Sequence, residues 1–299
     1  MGQVTRRIVL GECGRVLPTL PRGLARLLYV DPPFNTGRAQ KRERIKVTRK
    51  KDGERRGFGG ETFEVKKVQD TRVFADSFDD FTGFLLPRIE AALPCLTKDA
   101  SLFVHLDARE VHYVKVALDQ LLGRESFMNE IIWAYDYGGR PKNRWPPKHD
   151  TILWYARDPG SYVYEYDAID RIPYMAPGLV GPEKAARGKV PTDVWWNTIV
   201  SPTGREKTGY PTQKPLRILE RIVRAHSDPG DLVVDFFAGS GTTGEAAART
   251  GRDYLLVDSN PEAVAVMAAR LAWDQPEVVT ARHAGDDPPG EPPRGGLAP

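Results

Sequence analysis

The chain has 299 residues, of which 40% are hydrophobic and 28% charged, with a formal net charge of +3. That length can bury a substantial core in one large domain or two small ones, whereas no apolar run approaches the roughly 20 residues that span a bilayer and the opening MGQVTRRIVLGEC lacks the apolar stretch of a signal peptide. Cys13 and Cys95 are far apart and the five histidines lack ligand spacing, so neither a disulfide framework nor a metal site is expected and a reduced, cytoplasmic setting is.

In chain order, the first element is a strand over Arg7–Leu10. Ala25–Val30 follows as a short apolar run that stops at Asp31-Pro32-Pro33-Phe34-Asn35-Thr36-Gly37. A basic block from Arg38 to Arg56 comes next, and the segment from about 38 to 76 reads as an irregular polar insertion. Helices are expected over Phe78–Leu93 and Ala108–Leu121, with a strand over Ser101–Leu106 between them. The strands Glu130–Tyr135 and Thr151–Ala156 flank a turn-rich connection, Gly138–Pro147, that suits an antiparallel pair. A second polar, irregular insertion covers about 157 to 208.

The C-terminal third is regular. A helix over Pro215–Ala225 leads to an apolar strand, Asp231–Phe236, which runs into Phe237-Ala-Gly239-Ser-Gly241-Thr-Thr and a helical stretch, Gly244–Thr250. A strand over Asp253–Val257 ends at Asp258, and a helix covers Pro261–Trp273. From Gly285 the chain is a Pro/Gly-rich tail, expected to be disordered. Short apolar runs alternating with helices predict an α/β fold, a mostly parallel sheet covered on both faces with one antiparallel hairpin, in a single domain over residues 1–284.

Two motifs carry chemistry. In Asp235-Phe-Phe237-Ala-Gly239-Ser-Gly241, glycines directly after a buried strand let the backbone turn tightly against a ligand at a helix N-terminus. The pattern is not the GxGxxG of a dinucleotide site, and no lysine follows as in a P-loop. Asp258, ending the next strand, is placed to accept hydrogen bonds from ribose hydroxyls. In Asp31-Pro32-Pro33-Phe34, the prolines fix φ and remove two amide donors, leaving a carboxylate, an accepting carbonyl and an aromatic face on a rigid strand end. Two acceptors gripping the hydrogens of an exocyclic base amine would expose its lone pair to a methyl donor, while the ring holds the base by stacking. The blander readings are a capped strand–helix turn and a proline strand terminator.

These motifs resemble those of the amino-methylating DNA methyltransferases of bacterial restriction-modification systems and their solitary relatives. Asp31–Phe34 is similar to their D/N/S-P-P-Y/F motif, Asp235–Thr243 to their FxGxG motif, and Pro211-Thr212-Gln213-Lys214-Pro215 to their PTQKP segment. The order, catalytic motif before cofactor motif, resembles the permuted β class. The resemblance implies a Rossmann-like class I sheet binding S-adenosylmethionine. It implies that Asp31 and the Pro32 carbonyl accept the amino hydrogens, with Pro33 stiffening the motif and Phe34 stacking on the base. Asp235, Phe237, Gly239 and Gly241 would line the methionine end of the cofactor, Asp258 would bind its ribose, and Thr212 and Lys214 would complete the pocket. Glu12 stands where relatives often carry Asp as a further cofactor contact.

The same resemblance implies double-stranded DNA as substrate, a target base flipped out of the duplex, adenine N6 ahead of cytosine N4, and DNA binding and target recognition in the two insertions at about 38–76 and 157–208. Lys142, Asn143 and Arg144 are candidates for the DNA backbone. A homodimer and a cognate restriction endonuclease are the further partners that the family would bring. Methylation of RNA or of a protein amide, a nicotinamide oxidoreductase and a non-catalytic DNA-binding module are the competing readings. The oxidoreductase lacks its GxGxxG, and a binding module has little use for an intact cofactor turn together with DPPF.

Overall fold

The computed structural model describes residues 5–34, 78–201 and 203–281, with the backbone of three strands between the first two stretches. The strands are β1 (Arg7–Leu10), β2 (Ala25–Val30), β3 (Gln40–Arg49), β4 (Arg55–Arg56), β5 (Thr62–Phe74), β6 (Leu96–Leu106), β7 (Phe127–Ala134), β8 (His149–Ala156), β9 (Val194–Trp196), β10 (Leu232–Asp235), β11 (Asp253–Asp258) and β12 (Glu277–Thr280). The helices are α1 (Cys13–Val16), α2 (Phe81–Ala92), α3 (Val111–Leu122), α4 (Pro182–Arg187), α5 (Leu216–His226), α6 (Thr242–Arg249) and α7 (Pro261–Arg270). The expected tail from Gly285 lies outside the described residues.

Nine strands make one sheet in the order β12-β1-β11-β10-β2-β6-β8-β7-β9. From β12 to β6 every neighbouring pair is parallel, β8 is antiparallel to both β6 and β7, and β9 runs parallel to β7. The α/β, mostly parallel sheet with one antiparallel hairpin is therefore as expected. Alternation along each strand divides the core in two. Leu28, Val30 and Val234 pack with α2 and α3 on one face, whereas Leu27, Tyr29 and Val233 pack with α5, α6 and α7 on the other. Each such fully buried Leu or Val contributes about 1.5–3 kcal/mol of burial energy.

The division of helices positions the site. After β2 the chain next packs α2 on one face, and after β10 it packs α6 on the opposite face. β2 and β10 are neighbours in the sheet, so the crevice beyond their carboxyl ends is a topological switch point, where open α/β sheets take their ligands.

Two expectations are corrected. The segment from about 38 to 76 is not irregular: β3, β5 and β4 pair antiparallel as a separate three-stranded sheet. The alternation in Arg44-Ile-Lys-Val-Thr48 and Phe63-Glu-Val-Lys66 carries this period-2 signal, which the density of charge concealed. The segment from 157 to 208 contains α4 and the edge strand β9. β9 has only three residues and forms because β7 offers it a free edge, so its cause is tertiary. β12 was likewise unmarked in the sequence and pairs with β1.

Candidate active site

β2, β10 and β11 end at one rim, and the residues just beyond them surround a cavity of about 330 Å³. Asp31, Pro32, Pro33 and Phe34 line it, together with Asp235, Phe237, Gly239 and Asp258. Thr212 and Lys214 close it from the loop ahead of α5. The motifs singled out in the sequence thus converge, although about 200 residues separate Asp31 from Asp235. Glu12 does not line the cavity; its carboxylate accepts from Arg88 of α2 at 2.9 Å. Gly241 lies behind the lining as the left-handed residue that opens α6.

The turn after β10 is held by its own backbone. The Asp235 carboxylate accepts the Phe237 amide at 3.0 Å and the Thr243 hydroxyl at 2.6 Å. The Asp258 carboxylate accepts the amides of Gly239 and Asn260, each at 2.9 Å. Acids closing adjacent parallel strands therefore brace the turn from both sides. Gly239 and Gly241 have φ of +49° and +74°, which other L-residues rarely adopt. A Cβ on Gly241 would lie 2.8 Å from Met267 Cγ. Burial raises the Asp235 carboxyl to about 7, with the Asp31 and Asp258 charges adding to the rise against its two hydrogen bonds. Burial raises Asp258 as well, opposed by the two amides. Asn260 uses its Oδ1 to cap α7, and its buried Nδ2 has no protein acceptor. Asn260 lines the same cavity, together with Asp31, Asp235 and Asp258.

Lys214 is placed differently from expectation. Its ammonium donates to both Asp31 oxygens, at 2.7 and 2.6 Å, and sits 4.5 Å from the centre of the Phe34 ring. The lysine is buried, so the PTQKP segment joins the two motifs rather than serving one of them. The segment is rigid. Gln213 accepts the Thr208 amide and hydroxyl at 2.9 and 2.8 Å and donates to the Glu206 carbonyl at 2.8 Å. Thr212 has a φ of +58°, a conformation that costs a non-glycine residue about 1–3 kcal/mol.

Several residues of the site carried no sequence signal. Phe84 makes an aromatic corner of the cavity with the expected Phe237, their ring centroids 5.9 Å apart, and Tyr210 lies against Gly239. Behind Phe34 a line of hydrogen bonds runs across β2, β6 and β8 to the residue that follows β7. Tyr29 Oη meets His105 Nδ1 at 2.6 Å, His105 Nε2 meets Asp150 at 3.2 Å, and Tyr135 donates to the other Asp150 oxygen at 3.0 Å. Burial opposes the Asp150 charge, but the His105 and Tyr135 hydrogen bonds and the Lys214 charge outweigh it and hold the carboxyl below its usual range. An ionised Asp150 only accepts, so His105 Nε2 donates to it. A periodic strand pattern marks these positions only as core. Among the described residues no cluster of three or more His, Cys, Asp or Glu could hold a metal, and no helix is long and apolar enough to cross a membrane.

A doubly wound sheet with a braced glycine turn at its switch point defines an open α/β protein that takes a nucleotide-like ligand. Comparison narrows this further: residues 25–269 match the DNA methylase model of the N6/N4 methyltransferases. The chain belongs to that family, and it is a DNA methyltransferase of the N6-adenine/N4-cytosine kind. It is 26% identical over 283 residues to the DNA adenine methyltransferase YhdJ of Escherichia coli K12, covering 90% of this chain and 84% of that one. It is 25% identical over 266 residues to the type II methyltransferase M.HpaI of Haemophilus parainfluenzae, covering 89% and 74%. In fold it is similar to the PvuII cytosine-N4-specific DNA methyltransferase, with a TM-score of 0.62 at 16% identity over 91% of this chain and 94% of that one. The M1.HpyAVI–SAM complex gives 0.56 at 19% identity over 89% and 98%.

Proposed function

We propose that the protein transfers a methyl group from S-adenosylmethionine to the exocyclic amino nitrogen of a target base in double-stranded DNA, adenine N6 in particular. The observation that carries this reading is the meeting of Asp31–Phe34 with the braced glycine turn in one cavity, with Lys214 spanning the two. When bound, the cofactor supplies an electrophilic methyl on a cationic sulfonium. Asp235, Asp258 and Asn260 line the end of the cavity that would receive it. Thr212 and Phe237 line the same end.

At the other end, Asp31 and the Pro32 carbonyl accept the hydrogens of the target amine, and Phe34 stacks on the base beside the Lys214 ammonium. The amine needs no strong base before attack, because its surplus proton leaves afterwards. Rate then comes from positioning and preorganised electrostatics. A base within a duplex cannot reach this cavity, so the target is flipped out, at a few kcal/mol. Asp in the first motif position and the similarity to an adenine methyltransferase both favour adenine. Within this reading, residues 1–284 act as one catalytic unit in the cytoplasm, and the insertions at about 38–76 and 157–208 hold DNA binding and target recognition. A second copy of the chain and a cognate endonuclease are its further partners.

The test is to incubate the protein with unmethylated bacterial DNA and S-adenosylmethionine, digest to nucleosides and quantify methylated species by mass spectrometry. N6-methyladenine from the wild type and none from Asp31→Ala is the expected result. N4-methylcytosine instead would keep the mechanism and overturn the base, whereas neither product with cofactor binding intact would overturn the substrate.

A further inference from the structure

β2, β6 and β7 point the same way in the sheet, since β2 is parallel to β6 and β8 is antiparallel to both β6 and β7. The loop after β7, residues 135–148, therefore leaves the same edge as Asp31. Three strand spacings separate β2 from β7, roughly 14 Å.

Every residue from Asp136 to Trp145 is exposed. Trp145 is 94% exposed and Tyr137 58%. A lone exposed apolar side chain needs no explanation, but this indole sits in a basic loop. Lys142 and Arg144 beside it are exposed and form no ion pair among the described residues. The loop is braced from within: the Lys148 ammonium donates to the carbonyls of Tyr137, Gly138 and Gly139, the last two at 3.0 and 3.2 Å. Arg140 pairs with Asp136 at 2.6 Å. The root is tied to the catalytic strand by the line Tyr135–Asp150–His105–Tyr29, which ends two residues before Asp31. A movement of the loop root would break buried hydrogen bonds beneath Phe34.

We infer that residues 136–147 engage duplex DNA beside the target, with Lys142 and Arg144 on phosphates and Trp145 wedged into the base stack that the target has left. This rests on the proposed DNA methylation with base flipping. Apolar side chains inserted between base steps are a known physical device for holding a distorted duplex open. The braced loop would deliver the indole without ordering a flexible segment first.

The test uses methyl incorporation into native and heat-denatured unmethylated DNA. For Trp145→Ala the rate on native duplex should fall tenfold or more while the rate on denatured DNA stays within about twofold, because a single strand needs no wedge. Trp145→Phe should recover much of the duplex rate. Lys142→Ala and Arg144→Ala should each weaken binding to duplexes of any sequence and reduce the slope of log affinity against log salt by about one. Equal losses on both DNA forms would mark a packing role, and unchanged rates on both would mark an idle side chain; either overturns the wedge. Wild-type protein that methylates neither form would instead overturn the methylation reading on which the wedge rests.

Discussion

Replacing Lys214 with Met keeps the aliphatic stem and removes only the ammonium. In the wild type this ammonium contacts both Asp31 oxygens within 2.7 Å, with side-chain exposures of 8% for Lys214 and 17% for Asp31. Removing one partner of a buried pair costs about 3–5 kcal/mol, because the other charge is left without compensation. Asp31 keeps some access to water, so the lower end applies, about 3 kcal/mol. If that loss falls on the transition state, the rate of methyl transfer drops about 10²-fold, at 1.36 kcal/mol per decade. The ammonium's hydrogen bonds go to Asp31 and none goes to the glycine turn, so the affinity for S-adenosylmethionine should change less than about threefold. Single-turnover transfer of a labelled methyl group gives the first quantity and isothermal titration with the cofactor gives the second. A variant that transfers at nearly the wild-type rate once saturated, but binds the cofactor ten times more weakly, would refute this reasoning and return Lys214 to the cofactor pocket.

Three other substitutions probe the supports. Asp235 carries its proton in the folded protein up to about pH 7 but loses it near pH 3.9 when unfolded. Its stabilising contribution is thus complete below about pH 4 and is lost as pH rises through 7. Asp235→Asn, which mimics the protonated form, should gain in melting temperature relative to wild type on going from pH 5 to pH 8; an equal difference at both pH values contradicts the buried charge. Gly241→Ala introduces a Cβ at positive φ, 2.8 Å from Met267 Cγ, and should destabilise by about 1–3 kcal/mol, seen in urea denaturation, with weakened cofactor binding. Asp150→Asn turns an amide toward the Tyr135 hydroxyl or the His105 Nε2 proton. It should destabilise by about 1–3 kcal/mol; an unchanged urea midpoint would argue against the buried line.

The sequence by itself determined the strands that carry chemistry. Ala25–Val30 and Leu232–Asp235 are short apolar runs that end abruptly, one in Pro-Pro and the other in a double-glycine turn, and local stereochemistry at proline and glycine marks those ends wherever the chain goes. The Asp235 and Asp258 strand ends were legible for the same reason. The tertiary structure decided what those ends face. Lys214 reads locally as part of a cofactor segment, and only the packing of the loop before α5 against β2 brings its ammonium to Asp31. His105 and Asp150 look like ordinary strand residues, because hydrogen-bond partners on three different strands leave no periodic trace. Glu12 was expected at the cavity from the family resemblance, yet its carboxylate pairs with Arg88 on α2, far along the chain. β9 and β12 exist because edges of β7 and β1 were free to pair. Backbone geometry is set by neighbours in sequence, whereas the pairing of charges and strand edges is set by neighbours in space.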